Sequence, residues 1–339
     1  MTERGQRIAV VIPCYRVQRR VLAVLTRIGP EVALVYVVDD ACPEGTGDLV
    51  AAECQDPRVR VIRRPRNGGV GAATMTGFDA AAADGASILV KLDGDGQMDA
   101  SLIPRLVRPI AAGIADYAKG NRFFSPEFVR GMPAARLFGN AVLSFMTKLS
   151  SGYWGTFDPT NGFIAMHAQV FRLLPRTKLA ERFFFESDLL FRLNMLRARV
   201  VDIPLPATYA DERSNLAIHR VIGPFVAGHT RNFLKRVGYS YFLRDFSTGS
   251  VCLLCGIPLF VCGTAFGVYQ WGAHARAGDT ASAGTVMVAA LPVIVGFQLL
   301  LSFLGYDITN VPRTALYPRL VDPGTTSVPP RAADRHDEA

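Results

Sequence analysis

Apolar runs and stretches of helical spacing alternate through the N-terminal part of the chain. Ile8–Ile12, Leu34–Val38, Val59–Ile62 and Ser87–Leu92 read as strands. Helical patterns follow them in turn over Val17–Ile28, Gly47–Cys54, Gly69–Ala83 and Ala100–Ala112. This rhythm predicts an α/β fold with a doubly wound, mostly parallel sheet. Gly162–Met166 and Val200–Pro204 read as further strands, and Phe184–Arg197 between them is apolar at helical spacing. No internal repeat is visible.

The pattern changes after Leu216. Ile218, Val221, Ile222, Phe225, Val226 and Phe233 recur at three- and four-residue steps, interleaved with Arg220, Arg231, Lys235 and Arg236. Gly223-Pro224 predicts a break into two basic amphipathic helices. These lie either in a membrane interface or on the preceding domain. Thr248–Ala273 and Thr280–Tyr306 then contain no charged residue. Each exceeds the roughly 20 residues that cross a bilayer, so spans are predicted near Val251–Trp271 and Thr285–Tyr306. Buried core helices are the alternative. Arg276 and Asp279 lie in the short connection, whereas Arg231, Lys235, Arg236, Arg244, Arg313 and Arg319 flank the pair. The positive-inside rule places both flanks, and with them the catalytic part and both termini, in the cytoplasm. Met1–Arg7 runs directly into a strand and does not read as a cleavable signal. The expected organisation is a domain over 1–213, interface helices over 214–247, a membrane hairpin over 248–307 and a partly disordered tail over 308–339.

Of the 339 residues, 50% are hydrophobic, and the formal net charge is +8. A basic surface suits an anionic bilayer. No nucleic-acid motif or dense basic stripe accompanies the charge, which argues against a nucleic-acid partner. Cys14, Cys42 and Cys54 fit a reducing compartment, and Cys252, Cys255 and Cys262 fall in the first span as small packing residues. His167, His219, His229, His274 and His336 form no ligand set and read as surface, interfacial or tail positions.

Four motifs fall at one edge of the predicted sheet. They are Val11-Ile12-Pro13-Cys14-Tyr15, the segment Val37–Thr46 with Asp39 and Asp40, Asn67-Gly68-Gly69-Val70-Gly71, and Asp93-Gly94-Asp95-Gly96-Gln97. Ligands bind at the carboxyl ends of strands in open α/β sheets. Two carboxylates and an amide oxygen this close make a hard-oxygen site for Mg²⁺ or Mn²⁺, which would hold a diphosphate. The glycines at Asn67–Gly71 suit either an anion at a helix start or a tight strand–helix turn.

Together these motifs resemble family 2 glycosyltransferases of the GT-A fold, from about Arg7 to Arg213. Lys119-Gly120-Asn121-Arg122-Phe123, Phe183-Phe184-Phe185-Glu186-Ser187-Asp188 and Tyr241-Phe242-Leu243-Arg244-Asp245-Phe246 before two spans are similar to the polyprenyl-phosphate branch, which includes dolichyl-phosphate mannose synthases and undecaprenyl-phosphate glucosyltransferases. The resemblance implies a nucleotide-sugar donor, with Pro13, Tyr15, Asp39 and Asp40 at its nucleotide and Asp93, Asp95 and Gln97 at the metal and diphosphate. One of the Asp39–Asp40 pair alternatively caps the next helix. Asn67 and Gly71 belong to the donor side if the loop meets phosphate.

The implied acceptor is the phosphate of a membrane polyprenyl phosphate, undecaprenyl or dolichyl. Such a phosphate is largely ionised at neutral pH, its second pKa being about 6, and needs positioning charge rather than a base. Arg122 is the first candidate, because a guanidinium fork matches a phosphate. Lys119, Arg213 and Ser214 are further candidates, with Lys119 alternatively ending a strand. Glu186 and Asp188 are expected in the sugar pocket, or as acids stabilising a helix N-terminus. The expected reaction is an inverting, metal-assisted transfer of one sugar from a UDP- or GDP-linked donor. Its rivals are transfer to a carbohydrate hydroxyl, a processive polysaccharide synthase, for which no Q-x-x-R-W motif is present, and an inactive nucleotide-sugar-binding scaffold. The resemblance leaves a monomer and a homo-oligomer both open.

Overall fold

A computed structural model describes residues 6–125, 127, 134–205 and 218–320. Its seven strands are β1 (Ile8–Cys14), β2 (Val32–Asp39), β3 (Val59–Arg63), β4 (Ile88–Lys91), β5 (Tyr117–Asn121), β6 (Ile164–His167) and β7 (Val200–Pro204). They form one sheet in the order β3-β2-β1-β4-β6-β5-β7. β6 runs antiparallel to both β4 and β5, and the other pairings are parallel. The mostly parallel doubly wound reading therefore holds, with one reversed strand. Ile8–Ile12 and Ile88–Val90 are wholly buried, as expected where helices cover both faces of a sheet. Strand order turns back between β1 and β4, so the carboxyl ends of those two strands flank the crevice where such sheets bind ligands.

The predicted helices form as α1 (Gln18–Leu25), α2 (Thr46–Glu53), α3 (Val70–Ala83), α4 (Ile103–Ala111) and, later, α7 (Phe185–Met195). Two helices had no counterpart in the pattern, α5 (Ala134–Ser151) and the short α6 (Ala168–Leu173), and β5 had one only in the strand that Lys119 alternatively ends. α5 escaped notice because it is amphipathic in the opposite sense to a soluble helix. Leu137, Phe138, Val142 and Phe145 are exposed, while Ser144, Thr147, Ser150 and Ser151 are buried.

α8 (Ile218–Gly238) has the same inverted character and corrects one expectation. It is a single helix despite Gly223-Pro224. Pro224 lies inside it as the seventh residue, past the first turn, and the helix continues through the one backbone hydrogen bond that a proline removes. Ile222, Val226 and Leu234 point outward, whereas His229, Asn232 and Arg236 are buried against the domain. Of the two expected placements, packing on the domain is seen: a polar face lies on the protein and an apolar face is turned away from it.

A turn of π-helix (Tyr239–Arg244) leads into α9 (Thr248–Ala277) and α10 (Ala283–Thr309). Both are long and apolar enough to cross a membrane, and only 22% and 11% of their most apolar windows is buried, unlike the mostly buried core helix of a soluble domain. They pack through small residues. A Cβ on Gly296 would lie 2.5 Å from the backbone nitrogen of Phe260 and 2.9 Å from the carbonyl oxygen of Gly256.

The hairpin is joined to the domain by one buried carboxylate. Asp307, near the end of α10, accepts from Arg236 Nη1 (2.6 Å) and Nη2 (2.9 Å), Tyr241 Oη (2.6 Å) and Trp154 Nε1 (2.8 Å). Arg236 also donates to the Leu149 carbonyl of α5. The chain after α10 then returns to the domain. Arg197 donates to Asn310 Oδ1 and to its carbonyl, and Leu316 and Tyr317 donate backbone N–H groups to Asp116. The Tyr317 ring stacks on His167 at 3.7 Å between centroids. The expected tail is therefore docked as far as Leu320, and the remainder lies outside the described residues. Nor are His167 and His229 surface groups: both are buried, and burial pushes both down to about 4.

Three outcomes follow. Asp307→Ala leaves Arg236 buried without its partner and should cost about 3–5 kcal/mol of unfolding free energy in detergent. Asp48→Ala, which removes an exposed partner of Arg63, should cost under about 1 kcal/mol. His167 has a folded pKa below its unfolded value, so its contribution is intact above the unfolded pKa of about 6.5 and is lost as pH falls toward 4. Wild type should lose about 2 kcal/mol more than His167→Phe between pH 7 and pH 5, measured by denaturant unfolding.

Candidate active site

The crevice is built from the loops that leave β1, β2 and β4. β1 ends in Pro13 and Cys14, and the Cys14 carbonyl accepts the backbone N–H of Asp40, which joins the first two loops. Tyr15 stands exposed at the rim with the Arg16 guanidinium 5.5 Å from its ring centroid.

Asp39 and Asp40 are both buried and both turned onto the protein. Asp39 accepts from the backbone of Cys42 (2.7 Å) and Gly47 (2.6 Å), so it shapes the β2–α2 loop. Asp40 accepts from the backbone of Gly68 (3.0 Å) and Gly69 (2.7 Å) and pairs with Arg64. The second motif therefore holds the third in place. The glycines of the third serve close packing. A Cβ on Gly71 would fall 2.6 Å from the Ala180 carbonyl oxygen and 2.8 Å from Phe185 Cβ, and Gly69 adopts φ +94° against Glu181 and Arg182. This is the tight-turn reading of Asn67–Gly71.

The acidic pentapeptide leaves β4 beside these loops. Gly94 lies within 3.2–3.3 Å, measured from an added Cβ, of Ile12, Val17 and Cys14, and Gly96 takes φ +75°. Asp95 Oδ1 accepts the N–H of Gln97 at 3.0 Å, and Arg20 donates to the Asp95 carbonyl. Asp93 is partly exposed and gives Oδ1 to Lys91 Nζ at 2.7 Å. Two carboxylates and an amide of hard oxygen character at the switch point fit a divalent cation.

Lys91 also reaches Glu186 at the start of α7 (3.2 Å) and the Gly162 carbonyl (3.3 Å). Burial alone would lower its pKa, but Asp93 and Glu186 outweigh that and raise it. Glu186 is pushed up by burial and by Asp93, against the pull of Lys91. Glu186 is thus at the site. Asp188 is not: its oxygens accept from Ala180 N–H, Arg192 Nε and Asn232 Nδ2, tying α7 to α8. That corrects its assignment to a sugar pocket.

Arg122 follows β5. Its fork grips Asp158, Nε to Oδ2 and Nη2 to Oδ1, both at 2.7 Å. Asp158 is wholly buried at φ +55° and also accepts from Asn161, and the Arg122 hydrogen bonds and charge hold its pKa down against the opposing effect of burial. Arg122 is therefore oriented in advance, with its side chain 23% exposed. Lys119 is buried instead, bonded to the Phe157 and Gly120 carbonyls and paired with Asp202. Its position in the middle of a covered strand removes it as an acceptor-phosphate group. Arg213 and Ser214 lie outside the described residues.

Lys91, Asp158, Asn161 and Gly162 were missed from sequence. Each carried a signal. A lysine inside an otherwise apolar buried run is rare without a partner, and Asp158-Pro159 and Asn161-Gly162 are turn dipeptides directly before a strand.

The sequence matches the family described as Glycosyl transferase family 2 over residues 9–174. It is 32% identical to the polyprenol monophosphomannose synthase of Mycolicibacterium smegmatis, over 60% of this chain and 78% of that protein. It is 28% identical to the undecaprenyl-phosphate mannosyltransferase of Micrococcus luteus (66% and 93%), and 26% identical to the UDP-N-acetylglucosamine–dolichyl-phosphate N-acetylglucosaminyltransferase of Methanococcus voltae (60% and 86%). The fold is similar to crystalline glucosyl-3-phosphoglycerate synthase from Mycobacterium tuberculosis, in complex with Mn²⁺, UDP and glucosyl-3-phosphoglycerate. The TM-score is 0.51 at 19% identity, covering 70% of this chain and 82% of that one.

Gly71→Ala should displace the 180–185 segment and cost about 1–3 kcal/mol in an unfolding titration, since neither contacting carbonyl oxygen is on a flexible side chain. An unchanged midpoint would contradict the packing role.

Proposed function

The chain belongs to glycosyl transferase family 2 and is a glycosyltransferase, and from that premise we propose that it moves a single sugar from a nucleotide sugar to the phosphate of a membrane polyprenyl phosphate. The observation that carries this reading is the union of two features in one body. The acidic loop lies at the switch point of the sheet, and the same domain is clamped through Asp307 to two helices long enough to span a bilayer. Three similar proteins bear names of polyprenyl- or dolichyl-phosphate sugar transferases, which supports the same acceptor class here.

The donor nucleotide is taken to lie across the ends of β1 and β4, beside Pro13 and Tyr15. Asp93, Asp95 and Gln97 would hold Mg²⁺ or Mn²⁺, which when bound supplies positive charge against the departing nucleoside diphosphate. Asp39 and Asp40 serve by shaping the two loops that border the nucleotide. Arg122, pre-oriented by Asp158, meets the lipid phosphate, and such a nucleophile needs no proton removed. Glu186 is accordingly free of a base role and belongs to the sugar side of the pocket. Attack from the face opposite the leaving group inverts the anomeric carbon.

The exposed apolar faces of α5 and α8 and the hairpin are read as membrane-facing, with α8 in the interface. Arg231, Lys235, Arg313 and Arg319 are exposed at the hairpin base and favour a cytoplasmic catalytic side. Arg236 and Arg244 belong elsewhere in the count, since Arg236 is spent on Asp307 and Arg244 donates to Met195. Confinement to the bilayer surface replaces a three-dimensional search for an acceptor that stays in lipid.

The test is a donor panel. UDP- and GDP-sugars are incubated with the protein, undecaprenyl or dolichyl phosphate and Mg²⁺ or Mn²⁺, and lipid-linked sugar is sought by mass. One donor should yield it. Asp95→Asn should lower kcat/KM by about 100-fold or more, and Arg122→Ala should act chiefly on the lipid-phosphate KM. Glycosylation of a carbohydrate hydroxyl with no lipid product would refute the acceptor assignment.

A further inference from the structure

Lys91 is a buried cation that the proposed reaction leaves without a task. It ends β4 among Ile88, Leu89, Val90 and Leu92, all wholly buried, and its own side chain is 1% exposed. An ammonium has three protons. Here they face Asp93 Oδ1 at 2.7 Å, Glu186 Oε1 at 3.2 Å and the Gly162 carbonyl at 3.3 Å. With all three directions filled, Lys91 has no donor to offer a substrate and acts through its neighbours.

Those neighbours come from separate parts of the fold. Asp93 leaves β4, Glu186 opens α7, and Gly162 precedes β6, which pairs antiparallel with β4 so that Lys91 lies opposite Ile164. Gly162 admits the arrangement because it lacks a side chain: a Cβ there would lie 2.4 Å from both Lys91 Nζ and Asp93 Oδ2. Burying an ammonium is costly unless it is paired, and an apolar residue would serve the sheet alone. The lysine therefore answers to the two carboxylates.

We infer that Lys91 is a positioning residue, a fixed counter-ion that couples Asp93 to Glu186 and keeps the divalent cation loosely held until a nucleoside diphosphate joins it. This rests on the reading of Asp93 and Asp95 as metal carboxylates. The physical reason is charge and valence together. Lys91 occupies one oxygen of Asp93, and its charge opposes that of an approaching cation within a few ångströms. A diphosphate adds the negative charge and oxygen ligands that the protein withholds. Glu186 moderates the effect from the other side by drawing part of the ammonium's charge to itself.

The two partners of Lys91 give the test opposite signs. Mn²⁺ is titrated into the full-length protein in detergent, with free Mn²⁺ read by electron paramagnetic resonance, alone and with UDP or GDP. Lys91→Met should bind Mn²⁺ without nucleotide about tenfold more tightly than wild type, and the gain from adding nucleotide should shrink correspondingly. Glu186→Gln, which is isosteric and leaves the whole ammonium to Asp93, should bind Mn²⁺ several-fold more weakly. A scaffolding role alone would weaken binding in both variants, and that result, or an unchanged affinity in Glu186→Gln, would overturn the counter-ion role while leaving the metal site standing. Failure of wild type to bind Mn²⁺ even with either nucleotide would overturn both.

Discussion

The carboxylate of Asp307 is the joint on which the molecule's arrangement depends. A charge at the end of an apolar helix is costly to bury, and it is tolerated here because both oxygens are satisfied by Arg236, Tyr241 and Trp154. The donors come from α8, the turn after it and the loop after α5, so one side chain gathers three parts of the domain around the foot of the hairpin. The chain beyond α10 adds a second hold through Asn310, Leu316 and Tyr317. On the proposed function, this joint is what would hold the crevice at a set height above a bilayer, within reach of an acceptor confined to that surface.

The same economy of buried charge organises the crevice. Asp39 and Asp40 satisfy backbone N–H groups of neighbouring loops, Asp158 satisfies Arg122, and Asp93 shares Lys91 with Glu186. Asp40, Asp158 and Glu186 pair with groups from other stretches of chain, so the loops support one another. Asp93 and Asp95 differ from the rest in lying at the open end of the strand rather than beneath it. The polar inner faces of α5 and α8 follow the same logic, with Ser150 beside His229 and Asn232 on Asp188. Their apolar residues are left outside, on the surface turned away from the domain.

The fold was largely legible because its causes are local. Apolar runs buried on both faces announce strands, helical spacing announces the crossovers, and uncharged stretches announce the hairpin. The turn of Asp93, Asp95 and Gln97 was legible for a similar reason, since it directly follows a buried strand. α5 was not, since its apolar and polar faces are exchanged relative to a helix packed on a soluble core. Gly223-Pro224 misled because a proline removes one helical hydrogen bond without ending a helix whose later turns are packed on the domain through His229, Asn232 and Arg236.

Sequence alone determined the alternating sheet, the edge on which the motifs stand, the hairpin and the chemistry of the acidic turn, all of which depend on neighbours within a few residues. The tertiary structure decided which charges remain at the site. Lys119 and Asp188 carry residue types as suggestive as Arg122 and Glu186, yet Lys119 turns to Asp202 and Asp188 to Asn232. That choice belongs to pairings across long separations, above all the reversed strand β6, which sets Gly162 against Lys91 and Asp93. An ionisable side chain takes its role from the partner that offsets its burial, and the partner is known only once the chain has folded.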